Sequence, residues 1–341
     1  GFPGSAGIDR SRQTRRACAD DQYVAAAAQR LASAKARMFD GFSTRLSTVS
    51  PSSTSSVGAC FTPKRRAASG AAEERAAMER TKRVVREIAA VNPAFVSVTY
   101  GAAGGTTGAN TCELAAFVQD ACGVPALAHM TCIAADRAKV EDEVRGFRAA
   151  GIENILCLRG DSPPDTEFPG DPAFRHAVDL VRALKGEGFC LGGACYPEGH
   201  PECAHLVDDL AHVKEKAEAG LDFLTTQMFF DNNVLFHYLA RLRTSGVTVP
   251  VIAGVMPVTN GRQIRRICAL SGTYLPPRFR AIVDRFGDDP VAMLDAGVAY
   301  ATEQIVDLFA NDVNNVHVYT MNKPEVAVRI MRNLHGVVGP R

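Results

Sequence analysis

Short apolar runs bounded by turn residues recur along the chain: Phe95 to Tyr100, Pro125 to Thr131, Ile155 to Leu158, Cys190 to Tyr196, Phe223 to Phe230, Val249 to Met256 and Val316 to Thr320. Their length and their near-continuous apolar character predict buried strands. Between them lie amphipathic stretches at helical spacing. In Asp208 to Ala219, Leu210, Val213 and Ala217 share one face, and Gly220 offers a C-terminal stop. Glu73 to Ala90 reads as a further helix with Ala77, Val84 and Val85 on one side, closed by Asn92-Pro93. Strands alternating with helices imply a parallel sheet covered on both faces, an α/β fold.

Two architectures accommodate these seven runs. An open doubly wound sheet needs no further strand, whereas a closed (β/α)8 barrel requires one more before Phe95. No GxGxxG opens any of the helices, as a dinucleotide-binding open sheet would have it. Polar residues instead gather where nearly every run ends: Thr99-Tyr100-Gly101, His129-Met130-Thr131, Arg159-Gly160-Asp161, Tyr196-Pro197-Glu198, Gln227, Pro257-Val258-Thr259 and Tyr319-Thr320-Met321-Asn322. Functional groups at the carboxyl ends of many strands are the mark of a (β/α)8 active-site face. The expected fold is therefore a single-domain (β/α)8 TIM barrel.

Residues 1 to about 60 break the pattern. Arg, Ser, Thr and Ala dominate there, the first glutamate of the chain is Glu73, and 47–56 is nearly all Ser, Thr, Val and Pro. Such a stretch buries too little apolar surface to offset the entropy of ordering it. The expected organisation is a low-complexity, disordered or non-native segment over 1–60, followed by the catalytic barrel over 61–341. An Arg- and Ser-rich leader also suits an organellar transit peptide, but Asp9, Asp20, Asp21 and Asp40 count against it.

Composition narrows the partners. The 341 residues are 46% apolar and 22% charged, with a formal net charge of +1 and both signs interspersed. No basic stripe is present for a nucleic-acid backbone. No apolar stretch approaches the roughly 18 residues needed to span a bilayer, so no membrane partner is expected. Ten cysteines without a CxxC pair, several inside apolar runs, read as reduced, mostly buried thiols of a cytoplasmic protein.

Each polar feature has a plain structural reading when taken singly: a surface ion pair for Arg159 and Asp161, a core histidine for His129. His200, Glu202, Cys203, His205, Asp208, Asp209 and His212 are dense enough to raise a metal-dependent barrel hydrolase as an alternative. No HExxH-like pair accompanies them, and no metal is expected.

Jointly the motifs say more. Phe95-Val-Ser-Val-Thr-Tyr-Gly101, Ala128-His-Met-Thr-Cys132, Leu158-Arg-Gly-Asp161, Tyr196-Pro-Glu-Gly-His-Pro-Glu202, Thr226-Gln-Met-Phe-Phe-Asp231, Gly254-Val-Met-Pro257 and His317-Val-Tyr-Thr-Met-Asn322 resemble the methylenetetrahydrofolate reductase family, in order, from about Pro93 to Gly336. The resemblance implies a (β/α)8 barrel, non-covalent FAD, NADH or NADPH as hydride donor, 5,10-methylenetetrahydrofolate as acceptor, and a homo-oligomer. It is closest in kind to the bacterial catalytic-domain form. It places FAD contacts on Tyr100, Ala102, His129, Arg159, Gly160, Asp161, Ala177, Tyr196, His200, Asp209, His212 and Lys216. Arg159 and Lys216 would supply positive charge for a pyrophosphate, and Asp209 a partner for a ribose hydroxyl. Substrate positions implied in the same way are Thr99, Asp161, Gln227, Gln263 and Lys323, with Asp161 tuning the flavin and accepting hydrogen bonds from the pterin. Lys323 stands where an arginine is common, and Ile267 where some relatives carry a phenylalanine that stacks on the nicotinamide dinucleotide.

One departure touches the chemistry. The family delivers a proton to the leaving nitrogen from a glutamate in a first-strand motif resembling Phe-Glu-Phe-Phe-Pro-Pro-Lys. The nearest stretch here is Gly58-Ala-Cys-Phe-Thr-Pro-Lys64, with Ala59 at the acid's position. The break near Pro63 is read as a shifted or mis-started reading frame upstream. If the sequence is genuine, it implies impaired turnover, or a flavin-binding barrel acting as a partner subunit.

Overall fold

Eight parallel strands close into a barrel in chain order in the computed structural model, which describes residues 56–61, 71–100, 109–133, 135–160 and 172–338. The strands are β1 (Ser56–Phe61), β2 (Phe95–Val98), β3 (Ala126–Thr131), β4 (Asn154–Leu158), β5 (Cys190–Cys195), β6 (Phe223–Thr226), β7 (Val251–Val255) and β8 (Asn315–Tyr319). Helices α1 (Ala71–Ala89), α2 (Ala109–Cys122), α3 (Arg137–Ala149), α4 (Ala177–Leu184), α5 (Leu206–Ala219) and α6 (Asn232–Thr244) each follow one strand. Between β7 and β8 come three, α7 (Gly261–Ser271), α8 (Pro277–Phe286) and α9 (Pro290–Ala310), and α10 (Pro324–Asn333) with the short α11 (His335–Val338) ends the described chain.

The seven strands read from the sequence are all present, and β1 is the eighth that closure demands. It bonds on both sides, Gly58 level with Phe95 and His317, Cys60 level with Ser97 and Tyr319. It begins at Ser56, five residues before the barrel start expected at residue 61. Pairing with two neighbours satisfies the backbone of a run whose Ser- and Gly-containing composition resembles the leader's, and composition is blind to that. Ala59 is level with Val96 and Val318 in the same ladders.

Inside the barrel the floor is apolar: Phe95, Leu127, Leu156, Cys190, Phe223 and Ile252 form one buried cluster. Glycine makes this packing possible. A Cβ on Gly192 would lie 2.3 Å from the Phe223 ring, so the phenyl group fills the space that β5 leaves. Above the floor comes a polar layer. Ser97 Oγ and His317 Nε2 are 3.0 Å apart, the Tyr319 hydroxyl donates to the Thr226 carbonyl at 2.7 Å, and the Gly254 N–H donates to Thr226 Oγ1 at 2.8 Å. Between strands and helices runs the larger core, where alternate strand residues such as Val96, Ala128, Ile155 and Val316 meet Ile88, Leu114, Leu180 and Ile305.

Helix starts are set locally. The side chains of Asp136, Asp231, Asn260 and Asp289 accept backbone N–H bonds at the first turns of α3, α6, α7 and α9. Gly220 closes α5 at φ 125°, as its sequence position suggests. Among the described residues no helix is long and apolar enough to cross a membrane.

Candidate active site

A cavity of about 690 Å3 opens at the carboxyl mouth of the barrel, over β2 to β5 and the starts of α4 and α5. Every described residue assigned to the cofactor by resemblance lines it: Tyr100 after β2, His129 on β3, Arg159 and Gly160 after β4, Ala177 at the head of α4, Tyr196 and His200 after β5, and Asp209, His212 and Lys216 along α5. Thr99, assigned to the substrate, lines the same wall. Ala102 and Asp161 lie outside the described residues.

Several of these side chains carry buried polar atoms that the protein does not use. Thr99 Oγ1, His129 Nε2 and Asp209 Oδ2 are buried without a hydrogen-bond partner. Leaving such atoms unmatched costs free energy, and the three residues line the same cavity, where a polar ligand could match them. His129 is held neutral: burial first, and then the nearby His317, push its pKa down to about 3. Burial raises the pKa of Asp209, while Lys216, His200 and His212 work in the opposite direction. Lys216, whose pKa burial lowers, donates to the Ala194 carbonyl at 2.6 Å.

The remaining walls are fixed by packing. Gly160 sits at φ 91°, and a Cβ there would lie 2.6 Å from Ile133 Cγ2, so only glycine lets the chain pass at this point. Tyr196 and His200 pack edge to face at 4.6 Å between ring centroids. His176 precedes α4, its N–H donates to Asp179 Oδ2 at 2.9 Å, and the first turn of α4 around Ala177 lines the cavity.

Residues not singled out from the sequence also take part. The Tyr100 hydroxyl donates to Glu143 at 2.5 Å, and Lys139 lies 5.9 Å from the centre of the Tyr100 ring. Lys139 and Glu143 are one turn apart on α3, a spacing that in sequence reads as an ordinary solvated pair. Glu202, quoted from the sequence only as a motif end and a metal-cluster member, forms a two-pronged ion pair with Arg159, its Oε1 2.7 Å from Nη2.

Gln227, Gln263 and Lys323 stand elsewhere, on the β6 to β8 side of the mouth. Gln227 Oε1 accepts the Met228 N–H at 3.0 Å, and Lys323 donates to Thr259 Oγ1 at 2.7 Å. Gln263 borders a small hollow together with Met256, Ile267 and Met321. The cluster weighed as a metal site does not converge: among the described residues no three His, Cys, Asp or Glu side chains are placed to hold an ion.

Eight parallel strands closed in chain order, with polar and charged side chains gathered in a cavity at the carboxyl mouth, define a (β/α)8 barrel protein. A family model described as methylenetetrahydrofolate reductase matches residues 60–335. The chain belongs to the methylenetetrahydrofolate reductase family. It is 32% identical over 251 residues to 5,10-methylenetetrahydrofolate reductase of Escherichia coli (strain K12), covering 73% of this chain and 83% of that protein. It is 31% identical over 256 residues to methylenetetrahydrofolate reductase (NADH) 1 of Arabidopsis thaliana, covering 71% of this chain and 43% of the relative. The chain thus spans less than half the length of the plant relative. Among solved structures, an uncharacterized protein from Clostridium thermocellum that binds two copies of 5-methyl-5,6,7,8-tetrahydrofolic acid shares the fold, with a TM-score of 0.55 at 12% identity over 82% of this chain and 94% of that one.

Proposed function

We propose that this chain is a cytoplasmic flavoenzyme that reduces 5,10-methylenetetrahydrofolate to 5-methyltetrahydrofolate with FAD as bound cofactor and NADH or NADPH as donor. The observation that carries the reading is the set of unmatched buried atoms on Thr99, His129 and Asp209 in a cavity that also presents Arg159 and Lys216. A flavin dinucleotide fits that inventory. Lys216, Arg159 and the N–H groups heading α4 would hold its phosphates, Asp209 a ribose hydroxyl, and Tyr100 and Tyr196 would pack beside its rings. Bound there, FAD supplies a two-electron relay between the nicotinamide and the one-carbon unit of the folate.

The protein's own contribution is positioning and charge. His129, kept neutral by burial, offers Nε2 as donor or acceptor without adding a third cation beside Arg159 and Lys216. Gln227, at the carboxyl end of β6, has an amide suited to a pterin edge once it releases the Met228 N–H. Lys323, after β8, suits a folate carboxylate, and a carboxylate such as that of Asp161 would suit the donor groups of the pterin. NADH and NADPH are both named among the relatives, and Ile267 gives no aromatic surface to choose between them.

With Ala59 at the position of the family's acid, the leaving nitrogen lacks its usual proton donor, and turnover is expected to be lower by on the order of 100-fold or more. The test is an anaerobic experiment on FAD-loaded protein. NAD(P)H is expected to bleach the flavin band, and 5,10-methylenetetrahydrofolate to restore it slowly while 5-methyltetrahydrofolate forms. A flavin that neither donor reduces, or a reduced one that the folate leaves untouched, overturns the reading. Restoration as fast as in relatives that carry the glutamate would overturn the part assigned to Ala59.

A further inference from the structure

We propose that Glu202 is a built-in competitor for the cofactor's phosphate: it holds the Arg159 fork in the free protein and yields it to an incoming pyrophosphate, a role that rests on the flavin reading above. Arg159 Nη1 donates to Glu202 Oε2 and Nη2 to Oε1 at 2.7 Å, so one carboxylate fills the face of the guanidinium that a phosphate would use. A phosphate and a carboxylate present the same pair of acceptor oxygens, and both cannot occupy the fork at once.

The two partners differ in freedom. Arg159 is anchored in the cavity wall, its side chain 20% exposed and its Nε bonded to the Gly160 carbonyl at 3.2 Å. The Glu202 side chain is 61% exposed, on the loop between β5 and α5. Its backbone is tied down, because its N–H donates to His200 Nδ1 at 3.1 Å. The carboxylate can therefore swing into solvent while the loop stays in place and the guanidinium keeps its position. The pair with Arg159, with His200 and His176 adding positive character, keeps the Glu202 carboxyl below its ordinary pKa, so the competitor is charged at neutral pH. Lys216 and Asp209 face the same cavity from α5, and neither is bonded to Glu202.

Selectivity follows from this exchange. A ligand with a pyrophosphate replaces the carboxylate bond for bond, whereas one without phosphate gains nothing by displacing it. An exposed ion pair contributes little, so removing the competitor should tighten phosphate-bearing ligands by about two- to fivefold.

A double-mutant cycle tests this on the full chain. Dissociation constants are measured for wild type, Glu202→Gln, Arg159→Gln and the double variant, with FAD by flavin fluorescence and with inorganic pyrophosphate by calorimetry, at low salt. The expected result is a two- to fivefold gain from Glu202→Gln when Arg159 is present and none when it is Gln, with riboflavin indifferent throughout. Should no variant bind FAD while pyrophosphate shows this pattern, the flavin reading falls and the role of Glu202 stands. An equal gain with and without Arg159 would mean general charge repulsion and would overturn the proposal, as would no gain, or a loss, with both ligands.

Discussion

Tyr100 shows how a single residue can be visible in the sequence while its chemistry is not. Its place after an apolar run marks it as a mouth residue, but the partner that fixes its hydroxyl, Glu143, comes from a helix forty-three positions later. Burial raises the pKa of Glu143, and the Tyr100 hydroxyl and Lys139 lower it in part. A carboxyl whose folded pKa is raised favours the fold at low pH, and that contribution is lost as pH rises through the folded pKa. The hydroxyl limits this loss by bonding the charged form. Tyr100→Phe is therefore expected to cost about 1.5–3 kcal/mol at neutral pH, shrinking as pH falls through the raised carboxyl range and Glu143 takes up a proton. Urea denaturation of both proteins across that range checks it, and a pH-independent cost would show that the bond to ionised Glu143 is not the cause. Arg159 and Lys216 were legible as cations that suit a phosphate. The pairing of Arg159 with Glu202 was not, because it joins the segments that follow β4 and β5, and only the pairing of those two strands brings them together.

At the level of elements, the period of the apolar runs was enough to locate β2 to β8, since a strand buried on both faces leaves a continuous apolar signature. It failed for β1, whose Ser56 to Phe61 run is rich in small residues and held by its neighbours on both sides. Helix-to-loop packing was equally invisible. Gly297, inside α9, sits so close to the loop after β7 that a Cβ would lie 1.7 Å from the Val258 carbonyl oxygen, a backbone atom that cannot rotate away. Gly146, inside α3, has open space around it. Gly297→Ala is expected to destabilise by about 3 kcal/mol through overpacking. Gly146→Ala should instead stabilise by about 0.5–1 kcal/mol through helix propensity. Chemical denaturation distinguishes them: equal effects at the two sites would refute the contact.

Across the whole molecule the barrel divides its mouth into two sectors. The β2 to β5 side carries the deep cavity, with its unmatched polar atoms, its cations and the head of α4; the β6 to β8 side carries Gln227, Gln263 and Lys323 around a shallower surface. That division suits a cofactor seated on one side and a substrate brought against it from the other, and the sequence could list both sets of residues without separating them. Strand order alone separates them, because neighbours around the mouth are set by pairing. We propose that FAD sits in the β2 to β5 sector, and equilibrium titration of FAD into wild type and Lys216→Met tests this. Wild type is expected to bind one FAD per chain with a shifted flavin spectrum, and the variant to bind it at least about tenfold more weakly for want of a charge-assisted phosphate contact. A wild-type protein that stays colourless with excess FAD, or a variant that binds it equally well, would contradict the account.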